Sequence, residues 1–347
     1  MGAFLAKKGV VPSWKTYFVT AMGAMAQGLF ASLLIGTILG TLGNKLGISF
    51  LEQIAAFAKN DYVVGAAIGI AVAYALKAEG LVLFSCAVVG AIGYSLKDGV
   101  MAAKYFAGPA GAFLAVLVAC ELGKLVYKET KVDILVTPLT VILSGFGIAW
   151  LCNPAIGAGM NYLGNFINSA TELQPFFMGI VVSVTVGILL TLPVSSAAIC
   201  SMIVISGLAG GAATVGCCCQ MVGFAVMSFR ENRWGGLVAQ GLGTSMLQMG
   251  NIVKRPAIWL PTILSSAILG PVSTLLFKLT NTGVSAGMGT CGLVGPLGII
   301  TESDMNAKLW IGLILLCFVL PAALPLAFSE GMRKLGWIHK GDLTLPL

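Results

Sequence analysis

Charged side chains are scarce in this chain. Only 10% of its 347 residues are Asp, Glu, Lys or Arg, whereas 58% are hydrophobic, and the mean hydropathy is +0.96. Soluble domains carry about 25% charged residues, and no soluble core could bury this much apolar surface. The composition therefore excludes a soluble domain and predicts a polytopic integral membrane protein.

Histidine and the motifs of soluble catalysis are also lacking. The one histidine, His339, lies in a short tail, and the chain contains no Walker P-loop, so no ATP-driven step is encoded. The nine cysteines fall mostly inside apolar segments without the spacing of a zinc site, which favours small buried hydrophobes. We therefore expect no metal, no cofactor and no catalytic residue.

Acidic residues are absent from the middle of every predicted span. Glu121 lies near the end of its span, and Lys124, one turn further along, is placed to form an ion pair with it. A proton-driven symporter needs a titratable relay within the membrane, so this absence argues against that class. Sodium coupling through backbone carbonyls stays open.

Positive charge is present but is confined to short connections and to the ends of the chain. The formal net charge is +7. Lysines and arginines near both ends favour a multi-pass protein of the cell membrane with both termini in the cytoplasm. Such charges meet lipid headgroups, and they do not indicate a nucleic-acid partner.

The hydrophobic runs predict an all-α polytopic membrane protein with about ten transmembrane helices and re-entrant or discontinuous hairpins. The most charged connection runs from Lys124 to Asp133. It separates an N-terminal helical half, 1–132, from a C-terminal half, 133–347, which is expected to carry the substrate site. Both halves belong to one membrane domain.

Two boundaries are predicted in the C-terminal half. The pair Asn153-Pro154 is expected to end a span and to be followed by an amphipathic helix at 157–170, because proline disrupts helix interiors. Further along, an apolar segment at 194–213 is expected to be separate from a second one at 214–229.

The stretch from Val284 to Glu302, VSAGMGTCGLVGPLGIITE, is apolar but is a poor spanning helix. Five glycines interrupt it, and Pro296 removes a backbone donor from its last third. Irregular backbone at membrane depth is tolerated only where it is buried in protein or lines a watery cavity. The stretch is therefore the best candidate for the floor of a binding site, and close helix packing by small residues is the alternative.

Neutral polar side chains, rather than charges, are available in the interior. Amides and hydroxyls hydrogen-bond hydroxyl groups, so a neutral polyhydroxy solute such as a sugar is chemically reasonable. Their clustering in interrupted segments of the second half is typical of a transporter site, although each could instead bond a neighbouring helix. The candidate solute-binding residues are Glu302, Thr301, Thr290, Asn153, Ser195, Ser196, Gln220, Thr244, Gln248 and Asn251, with Gln240 nearby in sequence.

A family resemblance is carried by longer motifs. The run TPLTVILSGFGIAWLCNPAIGAGMNYLGNFIN, Thr137 to Asn168, is followed by a span and by LPVSSAA, Leu192 to Ala198. This order resembles the membrane subunit, enzyme IIC, of the sugar phosphotransferase system, especially its fructose branch, although the Gly and the Asn-Lys pair of the last element are missing. A divergent enzyme IIC-like family that includes the perfringolysin regulator PfoR is more similar still in three segments: Gly241–Pro261, Ser266–Pro271 and Gly287–Gly295.

The resemblance implies a homodimeric transporter fold with re-entrant hairpins and a site near the middle of the bilayer. In better-known enzyme IIC proteins a Thr-Glu pair on such a hairpin contacts the sugar, and Thr301-Glu302 follows the Gly-rich segment here. This chain has no IIA or IIB domain, so the resemblance also implies that any phosphoryl transfer uses separate IIA and IIB proteins, which would dock on cytoplasmic loops near Arg230 to Trp234 or Lys254-Arg255.

The leading hypothesis is therefore transport of a small neutral solute, a sugar or sugar derivative, by an enzyme IIC-type alternating-access mechanism. Two alternatives stay open. One is a membrane-bound regulator or sensor that keeps the transporter fold and signals through a partner. The other is a channel or transporter for an unrelated small solute.

Overall fold

A computed structural model describes residues 8–10, 13–96, 107–194, 196–303 and 306–345. All regular structure in these residues is helical, without any strand, which confirms the all-α fold. The candidate residue Ser195 lies outside them. The chain divides into two compact units, 1–160 and 161–347, with the boundary inside one long helix. The division into functional halves at residue 132 stays a prediction.

Apolar helices joined by short connections form the first unit. The last of these helices continues past the boundary between the units. The bounds are α1 Lys15–Asn44, α2 Ser49–Ala58, α3 Asp61–Ala75, α4 Gly80–Ser95, α5 Gly108–Val126 and α6 Asp133–Thr171.

The second unit mixes long helices with short interrupted ones. Between α10 and α11 the chain forms a π-helical turn, Ala239–Gly243, and a 3₁₀ helix, Ser245–Gln248. The helices are α7 Pro175–Thr191, α8 Ser196–Met202, α9 Gly207–Met227, α10 Phe229–Val238, α11 Met249–Lys254, α12 Pro256–Phe277, α13 Gly283–Ala286, α14 Val294–Glu302 and α15 Ala307–Lys334.

Six helices of the described chain are long and apolar enough to cross a membrane, namely α1, α5, α6, α9, α12 and α15. A seventh crossing is available if α2 and α3, which bend by 55° at their junction, count as one span. The helices α4 and α7 are apolar but shorter. The multi-pass membrane fold is confirmed, and the count of about ten crossings stays a prediction.

Both predicted helix boundaries in the second half are wrong. Pro154 lies inside α6, which runs unbroken over 39 residues from Asp133 to Thr171. A proline removes one backbone hydrogen bond, but the residues around it continue the helix and supply the remaining ones. Likewise, α9 passes through the predicted break between residues 213 and 214 as one helix.

Small residues set the packing of the first unit. A Cβ atom on Gly69 would lie 2.1 Å from the carbonyl oxygen of Cys86, so α3 and α4 pack backbone to backbone. The predicted ion pair of this unit is confirmed, because Lys124 Nζ lies 3.0 Å from Glu121 Oε2. The same ammonium donates to the carbonyl of Leu76, which ends α3, so this buried charge is compensated on both sides.

Helix α9 forms the centre of the second unit. Its residues from Ala209 to Met221 are all buried, including the three adjacent cysteines, Cys217 to Cys219. Glycines on its surface admit neighbouring main chains, since a Cβ atom on Gly216 would lie 1.9 Å from the carbonyl oxygen of Ser183 in α7. The apolar core around it includes Leu269 of α12 and Leu316 of α15.

We predict that Gly216→Ala destabilises the protein, because the added methyl group collides with the main chain of α7. Overpacking of this kind typically costs about 1–3 kcal/mol, so the midpoint of thermal unfolding in detergent should fall by several degrees. The matched control is Gly331→Ala in α15, where nothing lies within 4 Å of the added Cβ. An unchanged midpoint for Gly216→Ala would contradict the close contact.

Candidate functional site

The Gly-rich stretch is interrupted and folded into the protein. It forms α13, a turn, a 3₁₀ helix at Cys291–Leu293 and then α14. Gly289 and Gly292 have φ values of +53° and +51°, in the left-handed region that glycine adopts without steric cost. A Cβ atom on Gly289 would also lie 2.8 Å from the main-chain carbon of Cys217 in α9. The prediction of a broken, protein-buried segment agrees with this geometry.

Asn281 is the side chain that holds this stretch against α9. Its Nδ2 donates to Thr214 Oγ1 at 2.8 Å and to the carbonyl of Gly295 at 3.1 Å. Its Oδ1 accepts from Ser285 Oγ at 2.6 Å and from the backbone N–H of Thr282 at 2.9 Å. All the hydrogen-bonding capacity of this buried amide is therefore spent on the fold. Sequence reasoning missed Asn281, although it directly precedes the Gly-rich stretch.

Ser196 and Thr290 have the same structural role. Ser196 Oγ donates to the carbonyl of Gly287 at 2.7 Å, and Thr290 Oγ1 donates to the carbonyl of Gly241 at 2.5 Å. Both side chains are buried. They satisfy backbone carbonyls that the interrupted helices leave without partners, so their hydroxyl protons are already used within the protein.

The pair Thr301 and Glu302 lies at the exposed end of α14. Thr301 Oγ1 donates to the carbonyl of Gly298 in its own helix. The backbone carbonyl of Glu302 accepts from Thr280 Oγ1, and its carboxylate is exposed. The structure therefore separates this pair from the buried amides described next.

Three amides from the interrupted region between α10 and α12 form a buried cluster, which we call the amide cluster: Gln240, Gln248 and Asn251. Gln248 Nε2 donates to Gln240 Oε1 at 2.9 Å, and Asn251 Nδ2 donates to Gln248 Oε1 at 2.8 Å. Gln240 Nε2 in turn donates to Ser228 Oγ at 2.8 Å. The structure thus brings together two of the predicted solute-binding residues, Gln248 and Asn251, and adds Gln240 to them.

Backbone carbonyls from a later part of the chain complete the amide cluster. Gln248 Nε2 donates to the carbonyl of Leu343 at 3.0 Å, and Asn251 Nδ2 donates to the carbonyl of Thr344 at 2.9 Å. Thr244, also a candidate, accepts from the backbone N–H of Met246 and so caps the 3₁₀ helix. In the conformation described, the side chains of Gln248, Asn251 and Thr244 are therefore hydrogen-bonded to the protein's own backbone.

Gln220, on α9, stands at the centre of a second polar group, which we call the Gln220 ring. Its Oε1 accepts from Trp259 Nε1 and Thr262 Oγ1, both at 2.9 Å, and from Thr191 Oγ1 at 3.4 Å. Thr191 Oγ1 also lies 2.8 Å from Ser245 Oγ. Since an indole nitrogen only donates, Trp259 fixes which end of the amide is the oxygen.

The other end of the Gln220 amide has no hydrogen-bond partner. Gln220 is fully buried, and its Nε2 atom, which carries two N–H donors, bonds to nothing among the described residues. An unpaired buried donor costs about 1–3 kcal/mol, so such an atom calls for a water or a ligand. Sequence reasoning selected Gln220 but missed Trp259, Thr262, Thr191 and Ser245, which are far from it in the chain.

Asn153, the candidate in the first unit, is also buried. Its Nδ2 donates to the carbonyl of Gly93 at 2.9 Å, which joins α6 to α4, whereas its Oδ1 has no partner among the described residues. Among those residues we find no cluster of three metal-ligating side chains.

Comparison with family models gives a match over nearly the whole chain. The family model described as "Phosphotransferase system, EIIC" matches residues 19–345. No curated protein and no solved structure matches the chain. The resemblance to enzyme IIC is therefore confirmed, and the closer likeness to the perfringolysin regulator stays a prediction.

We predict that Asn281→Ala loosens the Gly-rich stretch, because it removes two donors and two acceptors at once. Hydrogen exchange over residues 281–302 should accelerate at least ten-fold, since each buried group left unpaired costs about 1–3 kcal/mol. The control is Asn165→Ala, which replaces an exposed asparagine of α6. Exchange at the wild-type rate over 281–302 would show that Asn281 is not the clamp.

Proposed function

We propose, since this chain belongs to the EIIC family of the phosphotransferase system, that it binds a small neutral sugar or sugar derivative at the Gln220 ring and carries it across the membrane. Membership of the family supports sugar-type membrane transport together with separate IIA and IIB components. The identity of the solute and the residues that contact it are our proposal.

The unpartnered Nε2 of Gln220 is the observation that carries this proposal. Three groups already fill the acceptor end of the amide, so a guest would meet two donors held in a fixed direction. A sugar hydroxyl can accept from such a donor and can donate to a neighbouring hydroxyl such as Ser245. Trp259 adds a partly buried aromatic face, which is typical of ligand sites that combine apolar walls with few polar groups.

Neutrality of the guest follows from the groups around the ring. Every side chain that bonds to Gln220 is an uncharged hydroxyl or an indole. An ionic solute would lose its hydration without a compensating charge, which costs far more than a hydrogen bond can return. A hydroxyl-bearing solute, in contrast, exchanges hydrogen bonds with water for hydrogen bonds with the protein.

Alternating access is supported by the way in which the interrupted segments are attached. Thr290 joins the stretches 239–254 and 283–302 through a single side-chain bond to the carbonyl of Gly241, and its Oγ1 also lies 3.6 Å from Met221 Sδ of α9. Bonds of this kind can be exchanged without unfolding a helix. We propose that these segments move relative to α9 when the solute enters or leaves.

Thr301 and Glu302 stay proposed solute contacts on the strength of the family resemblance. In the conformation described they are exposed, so they would reach a solute only in another step of the transport cycle. The homodimer, the cytoplasmic position of both termini and the cytoplasmic docking of IIA and IIB proteins also stay predictions.

We propose that separate IIA or IIB proteins dock on the exposed surface at Arg230 and Trp234. A cavity of about 360 Å³ lies there, lined by apolar side chains together with Arg230, Trp234 and Glu330. Arg230 forms an exposed ion pair with Glu330 at 2.9 Å. Such a pair is worth little to stability and can be exchanged for a partner's carboxylate.

Two substitutions at Gln220 test the proposed site. Gln220→Leu removes the whole amide, whereas Gln220→Met removes the Nε2 donors and leaves a sulfur that is a weak acceptor for Trp259 and Thr262. Loss of a buried hydrogen bond to the solute costs about 1–3 kcal/mol, so uptake affinity should fall roughly ten- to hundred-fold in both variants. The assay is uptake of radiolabelled hexoses, pentoses and hexitols into proteoliposomes.

The matched control is Gln174→Leu, at the start of α7, whose side chain is exposed and makes no capping bond. It should leave uptake unchanged. Saturable wild-type uptake that survives with unchanged affinity in Gln220→Met and Gln220→Leu would exclude Gln220 as a contact. Specific binding of a sugar by the wild type without any flux would instead favour the regulator.

A further inference from the structure

The apolar residues of a short, partly charged segment near residue 340 are buried. Residues 338–345, which we call the strap, follow α15 and contain no helix or strand, yet Leu343 is 0% exposed and Leu345 is 7% exposed. Ile338 and Leu343 pack in an apolar cluster with Phe224 and Met227 of α9. The strap is therefore anchored inside the second unit rather than lying free on its surface.

Side chains of the second unit bind the main chain of the strap on both sides. Glu231 accepts from the backbone N–H of Leu343 at 2.9 Å. Asn232 accepts from the backbone N–H of Leu345 and donates to the carbonyl of Leu343, both at 2.8 Å. These bonds go to the main chain of the strap rather than to its side chains, as in peptide-binding grooves.

On its other side the strap covers the amide cluster. The carbonyls of Leu343 and Thr344 take the donors of Gln248 and Asn251, as described above. Without the strap, one N–H of each amide would lose its acceptor and face the space that the strap had filled. The strap thus occupies the position that a polar solute or a second peptide would need in order to reach these amides.

We propose that the strap is an intramolecular ligand of the amide cluster and that its release opens a path to Gln248 and Asn251. The regulatory meaning of this release rests on the proposed transport function, whereas the release itself does not. The strap forms only turns and belongs to no helix or sheet ladder, so it can leave without unfolding α9 or α15.

The ion pairs around the strap allow it to be released. Glu231, which binds the strap, is also held by Arg333 of α15 at 3.2 Å and so stays in place when the strap leaves. Asp342 of the strap pairs with Arg255 at 3.3 Å, and the Arg255 side chain is 45% exposed. Exposed pairs contribute little net stability, so the buried Leu343 supplies most of the retention.

The test measures access to the cluster with a reporter cysteine. Asn251→Cys is introduced into full-length protein in which Cys152, the only cysteine that is not buried, is replaced by serine. Labelling by a water-soluble maleimide is compared with and without Leu343→Ala. We expect labelling roughly ten-fold faster with Leu343→Ala, because truncating a buried leucine strongly weakens local packing. Leu335→Ala is the matched control, since that leucine is 70% exposed.

Hydrogen exchange of the wild type supplies a readout that needs no variant. Residues 338–345 should exchange at least ten-fold faster than the protected residues of α9. If Leu343→Ala fails to fold, Leu345→Ala provides a milder release. Strap exchange as slow as that of α9, or labelling that neither variant accelerates, would overturn the proposal. Neither measurement depends on uptake, so a failed transport assay would leave it standing.

Discussion

The close approach of main chains to α9 is the constraint on which the second unit depends. A Cβ atom on Gly210 or Gly211 would lie 1.9 Å from the carbonyl oxygen of Asn281 or Leu279 respectively. The chain that enters the Gly-rich stretch therefore lies directly against the helix. Van der Waals packing of small residues stabilises such contacts where the hydrophobic effect between helices is weak. Any larger residue at these positions would push the interrupted segment away from its supports.

The interrupted helices also need polar side chains, which supply hydrogen-bond partners to the backbone groups at each break. Each break leaves backbone donors and acceptors that water cannot reach. Asn281, Ser196 and Thr290 bond to such groups, and the amide cluster does the same for the strap. A polar residue in this protein is thus structural by default. Gln220 differs because its amide leaves N–H donors unpaired, whereas Asn153, the other buried amide with an unpaired end, leaves only an acceptor oxygen.

Composition and local pattern were sufficient to predict the membrane class, the helical fold, the break at the Gly-rich stretch and the Glu121–Lys124 pair. Each of these follows from residues close together in sequence. The Gln220 ring could not be predicted in the same way, because Thr191, Trp259 and Thr262 join it only through tertiary packing. The predicted helix end at Pro154 was wrong because the neighbouring residues continue the helix through the proline. The burial of the strap was also unpredictable, because that segment is short and partly charged.

The two polar groups share one structural element, and this connects solute binding with the strap. Ser245 and Gln248 are the first and last residues of the same 3₁₀ helix. Ser245 bonds to Thr191 of the Gln220 ring, whereas Gln248 bonds to the strap through Leu343. If this short helix moves as a unit when the strap is released, the Ser245 hydroxyl beside Gln220 also changes position. The coupling therefore requires no long pathway, only a short helix that both sites hold.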